Sequence, residues 1–147
     1  MTNWSKVKHF LPKEWGDDPR KASPLLVHAV DELRGFISAV SGKDVPIHIH
    51  VCWSQGGHSP QSYHYTGQAV DLHFEPVVSY AVQMACILSM TQFGGIGFYP
   101  DWNSPGWHLD MRNESPRIVW TRRNSEYLYS PLRLTEAVHA ADKAKGW

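Results

Sequence analysis

Three segments of this chain alternate with a period of two, and each sets an apolar face against a face of histidine and aspartate. In Gln68 to Phe74, Val70, Leu72 and Phe74 oppose Ala69, Asp71 and His73. In Gly106 to Arg112, Trp107, Leu109 and Met111 oppose His108, Asp110 and Arg112. In Val45 to Cys52, Ile47, Ile49 and Val51 oppose His48 and His50. A period of two belongs to strands. Three such strands together require a sheet with one face covered by core and the other left for polar groups. Half-exposed antiparallel strands alternate like this without any function. Here, however, the polar positions are largely His and Asp rather than Lys, Glu or Thr.

Imidazole and carboxylate both suit zinc, and a catalytic zinc site takes three protein ligands and keeps a fourth position for water. His64 and Asp71 form a near pair. Gly67 stands between them, where a turn must lead from a loop into a strand. His108 is the distant third candidate, and Ala69 is small enough to leave room beside an ion. The three residues read as one metal site.

The remaining elements follow from periodicity and punctuation. Met1 to Ala22 is mixed and is expected to wrap the surface, anchored by Trp4, Phe10, Leu11 and Trp15. Ser23 offers an N-cap oxygen with Pro24 at the first helical position, and a helix with Leu26, Val30, Leu33, Ile37 and Val40 inward stops at Gly42. Trp53 to Tyr63 reads as a loop rimming the site, with His58 inside it. Val77 to Phe93 reads as a buried helix ended by Gly94 and Gly95. Ile96 to Tyr99 is a short strand, Ile118 to Thr121 an edge strand followed by an exposed Arg122-Arg123, and Ser130-Pro131 opens a last helix through Lys145. The sum is an α+β fold of one domain, residues 1–147, with a central antiparallel sheet and helices on one face.

Composition narrows the function classes. The chain is 42% hydrophobic and 19% charged, which is globular rather than disordered. Its formal net charge is zero, and no basic run marks it for nucleic acid. No apolar run spans a bilayer. Met1 to Phe10 lacks an apolar signal core, so the expectation is a cytoplasmic chain or one trimmed of its leader. Cys52 and Cys86 read as buried thiols rather than a bridge or ligands. The expected state is a monomer.

The run Ser62-x-His64-x-x-Gly67-x-Ala69-x-Asp71, followed by Trp107-His108-x-Asp110, resembles the zinc D-alanyl-D-alanine carboxypeptidases. That superfamily includes phage endolysins cutting L-alanyl-D-glutamate bonds, murein endopeptidases and the Hedgehog signalling domain. The resemblance runs from Pro46 to Trp120 and takes in Gly56-Gly57-His58-Ser59 and Gly95 to Pro100. It implies a Hedgehog/DD-peptidase-like fold, zinc on His64, Asp71 and His108, and hydrolysis of peptidoglycan peptides at a D-Ala-D-Ala end or within a cross-peptide. A phage-encoded lysin is one source consistent with it. Many relatives place a Glu three residues before the last zinc His, or a His two before it. Those places hold Pro105 and Gly106 here. Relatives also often carry an Arg before the Gly-Gly-His-Ser stretch, where this chain has Trp53, Ser54 and Gln55.

Other residues must therefore supply the proton transfers. Asp110 shares a strand face with His108 and has two readings: general base, or orienting partner of the zinc histidine. His58 is a further candidate for proton transfer or substrate contact, with His50 and His73 in reserve. Arg112 is available to polarise a carbonyl or to fork onto a substrate carboxylate, a job an arginine of the tail could share. The competing function is a non-catalytic binding module that retains its zinc for structure.

Overall fold

The computed structural model describes residues 1–147. Six strands form one sheet: β1 (Ile47–Val51), β2 (Ala69–Phe74), β3 (Gly95–Tyr99), β4 (Gly106–Asp110), β5 (Ile118–Arg123) and β6 (Glu126–Leu128). Their order across the sheet is β1-β2-β4-β3-β5-β6. Three helices, α1 (Pro24–Ser41), α2 (Tyr80–Ser89) and α3 (Pro131–Lys145), complete the fold. The expected α+β architecture is present.

The apolar faces named above form the core. Val70, Leu72, Phe74, Ile96, Phe98, Trp107 and Leu109 join the inner residues of all three helices in one cluster. The helices therefore cover one side of the sheet, and the face carrying Asp71, His108 and Asp110 is left free of them. Trp107 is fully buried, and its indole N–H donates to Gln83 Oε1 at 3.0 Å. Leaving that donor unpaired would cost about 1–3 kcal/mol.

Side chains far apart in sequence tie the helices down. Buried Asp142 of α3 accepts from the backbone N–H groups of Tyr80 and Ala81, satisfying donors at the first turn of α2. Asp31 of α1 accepts from the Lys8 and His9 N–H groups and holds the N-terminal segment against the domain. Phe10 and Trp15 of that segment are buried as expected, whereas Leu11 is exposed.

Several expectations need correction. The sheet is not wholly antiparallel, because β5 runs parallel to β3. Nor is β5 an edge: it reaches Arg123 and pairs with β6, which the sequence reading missed. Asn124 and Ser125 both take positive φ, 50° and 64°, in the two-residue turn between them. Such turns favour Asn-Gly, and a serine in the second place hides the signal. Helix α2 starts at Tyr80 rather than Val77, since the Ser79 side chain caps it by accepting from Val82 N–H. Ser23 makes no side-chain cap; its backbone N–H donates instead to Gly67 O at 2.9 Å, joining the start of α1 to the turn before β2.

Candidate active site

The sheet register builds the site row by row. Asp71 of β2 pairs with His108 of β4, His108 with Gly97 of β3, and Gly97 with Trp120 of β5. The neighbouring row runs Ala69, Asp110, Gly95. Small residues on β3 are required here. A Cβ on Gly97 would lie 2.4 Å from the Trp120 indole, and one on Gly95 would lie 2.4 Å from Asp110 Oδ1. The glycines let the indole and the carboxylate lie flat on the sheet beside His108.

His64 arrives from outside the sheet, on the 3-10 turn Tyr63–Thr66. The Ser62 side chain accepts from His64 N–H to start this turn, and Gly67 ends it in the left-handed conformation at φ 69°. Ligand-bearing atoms then converge. His64 Nε2 is 3.3 Å from Asp71 Oδ1, and His108 Nδ1 is 2.9 Å from the same oxygen. One ligand atom from each of the three residues lies within 4.8 Å of the others.

The hydrogen bonds fix which nitrogens face inward. His64 Nδ1 donates to Cys52 O at 2.7 Å, so its Nε2 presents a lone pair. That Nε2 is buried, has no hydrogen-bond partner, and faces a carboxylate oxygen that is also only an acceptor. Two acceptors at this separation repel unless a cation lies between them. On the other side, His108 Nε2 donates to Asp110 Oδ2 at 2.8 Å, turning Nδ1 toward Asp71. The donor set, two imidazoles and one carboxylate with a carboxylate behind one histidine, suits zinc.

Around this point lies a cleft of about 810 Å³. The loop bearing His58 forms one side. Tyr99, Trp102, Trp120 and the β5–β6 hairpin form another. The His58 ring stacks on His64 with centroids 4.2 Å apart. Tyr65 secures the loop, accepting from His58 N–H and donating to His58 O.

The family model Peptidase_M15_2, described as peptidoglycan L,D-endopeptidase MepK, matches residues 24–115. The chain belongs to this family. Membership places it in the M15 peptidase/DD-peptidase superfamily, in line with the resemblance read from its motifs, and supports peptidase activity on peptidoglycan. No curated protein and no solved structure matches the chain.

In this Peptidase_M15_2 chain the polar site is electrostatically coupled. Burial alone would lower the pKa of His108, but hydrogen bonds to Asp110 and Asp71 overcome it and raise it to about 9. Burial would raise Asp71, yet the hydrogen bond from charged His108 holds it well below the usual carboxylate range. For Asp110 burial is likewise outweighed, by Arg112 and His108, giving about 2. A raised histidine pKa stabilises the fold fully below 6.5 and loses that contribution as pH rises through about 9. Chelator-stripped protein is therefore expected to lose thermal stability between pH 6.5 and about 9. Over the same window its apparent zinc affinity should rise, because zinc must displace the proton from His108. Calorimetric melts with and without zinc check this. A flat stripped-protein curve would contradict the charge on His108.

The other residues singled out in the sequence divide. Asp110 is fully buried and held on both oxygens, by His108 and by the Arg112 Nε and Nη2. Arg112 lies between the Tyr63 and Trp120 rings, 5.1 and 5.3 Å from their centroids. His50 and His73 bond to each other, 2.5 Å apart, outside the metal triplet. Trp120, Arg122 and Tyr127 line the cleft and were not found from sequence. Arg122 in particular is not a mere exposed end. Continued alternation from Trp120 to Arg122 was the available signal.

Proposed function

We propose that the chain is a zinc-dependent endopeptidase that hydrolyses an internal bond of peptidoglycan peptides. One observation carries the zinc reading: the buried, unpartnered His64 Nε2 faces Asp71 Oδ1 beside His108 Nδ1. The family description, an L,D-endopeptidase, supports an internal bond over a terminal one.

His64, Asp71 and His108 hold the ion, which when bound supplies Lewis acidity toward a carbonyl oxygen and lowers the pKa of water toward ~7. Asp110 orients. With both oxygens taken by His108 and Arg112, it keeps the Nε2–H tautomer of His108 and is not placed to collect a proton from water. Arg112 in turn holds Asp110. His58, stacked on His64, is the group we assign to move protons. It lines the cleft against His64, and it takes the proton of the attacking water and returns it to the leaving amine. It thereby fills the role for which Pro105 and Gly106 offer no titratable group.

The test is metal content by mass spectrometry together with muropeptide digestion, with and without chelator. One zinc per chain and chelator-sensitive cleavage of an internal bond are expected. His58→Ala should keep the zinc and lose on the order of 10²–10⁴ in kcat. Release of a terminal D-alanine alone would mean a carboxypeptidase. Stoichiometric zinc without cleavage would mean a zinc-retaining binding module. No zinc after supplementation would overturn the reading.

A further inference from the structure

The family match ends at residue 115, yet a wall of the cleft is built beyond it by β5 and β6. Trp120 and Arg122 share a face of β5 and both line the cleft. The Trp120 ring lies 5.4 Å from that of His108, and Arg122 stands two residues further, roughly 7 Å by strand rise. Its guanidinium rests 5.3 Å from the centroid of the Tyr127 ring.

Of the two arginines that line the cleft, Arg122 is the one without a counter-charge. Arg112 commits its Nε and Nη2 to Asp110. Arg122 takes part in none of the chain's ion pairs. Its Nε is buried with no acceptor. Glu114 also borders the cleft but forms no ion pair with it. A buried donor without a partner is costly in the free protein. A planar fork of N–H groups matches a carboxylate, and the aromatic ring beneath it fixes the plane.

We propose that Arg122 is a carboxylate subsite of the cleft. It binds a free carboxylate of the peptide substrate, carried within about three residues of the scissile bond given ~3.3–3.6 Å of chain per residue. The subsite rests on the peptidase reading for its role in turnover. It makes the enzyme selective for peptides whose carboxylate is free, since an amide offers the fork neither the charge nor two acceptor oxygens.

The experiment crosses two changes on the zinc-loaded protein. Arg122→Gln is compared with wild type on one muropeptide stem, as the free acid and with its carboxylates amidated. On the free acid, Arg122→Gln should lose on the order of 10- to 100-fold in kcat/KM, chiefly through KM. Arg122→Lys should fall between the two, keeping charge but not the fork. Removing guanidinium and carboxylate together should cost no more than removing either alone. Equal losses on both stems, or a wild type that prefers the amide, would overturn the subsite. Titrating tryptophan fluorescence with the same two stems reads binding directly. If wild type cleaves neither, the peptidase reading fails, while the free-acid preference in binding and its loss in Arg122→Gln still decide the subsite. Unchanged zinc content and melting temperature confirm that the variants fold.

Discussion

Asp71→Ala is expected to give a folded protein that holds no zinc and hydrolyses peptidoglycan at least ~10³-fold more slowly than wild type. Loss of an outer partner of a metal ligand typically costs 10–100-fold in affinity or activity, and loss of a ligand costs more. Asp71 is also the only anion among the three ligands, and its Oδ1 is the point toward which both imidazoles turn, at 3.3 and 2.9 Å. Without it, His64 Nε2 and His108 Nδ1 are two neutral donors with no charge to balance the ion. The alanine itself is compatible with β2, because Asp71 belongs to the polar face and not to the core cluster. Metal analysis and muropeptide digestion, with circular dichroism to confirm the fold, check the outcome. Retained stoichiometric zinc would remove Asp71 from the ligand set.

Gly67→Ala is expected to destabilise the protein by about 3 kcal/mol or more, a fall in melting temperature of roughly 10 °C for a chain of this size. Two effects combine. At φ 69° an L-residue carries a strain of roughly 1–2 kcal/mol. In addition, the new Cβ would sit 1.8 Å from the backbone oxygen of Lys21. That oxygen cannot swing aside like a flexible side chain: the backbone there leads directly to Ser23, whose N–H is bonded to Gly67 O. The turn must move, and it carries His64, so zinc affinity should fall with stability. Gly56→Ala is the control. It meets nothing within 4 Å and has no positive φ, so a change within about 0.5 kcal/mol is expected. Equal behaviour of the two variants would mean that Gly67 is not under constraint.

Much of the sheet was legible because its causes are local. Val70, Leu72 and Phe74 on β2, and Trp107 and Leu109 on β4, declare a core face by alternation alone, and all five are buried. Helices α1 and α3 announce themselves through proline at their starts and glycine at their ends. Less legible were the features set by partners distant in sequence. The parallel pairing of β5 with β3 joins strands that β4 separates in sequence, and Thr121 of β5 donates to Phe98 O of β3, a partner that alternation within β5 cannot name. The β5–β6 turn was hidden because Asn124-Ser125 takes a backbone conformation usually marked by glycine.

The same division holds at the site. Residue type and spacing by themselves singled out His64, Asp71 and His108 as a candidate ligand set, two imidazoles and a carboxylate being a donor combination that suits zinc. Tertiary structure alone decided which atoms do what. Cys52 O claims one nitrogen of His64 and Asp110 one nitrogen of His108, so the nitrogens that remain converge on Asp71. It also supports the orienting reading of Asp110 over the general-base one, because both carboxylate oxygens are engaged by His108 and Arg112 in the space left by Gly95. And it brought Arg122, from beyond the family match, to the wall of the cleft. Alternation fixes a residue's face, but only the packed strands fix what that face meets.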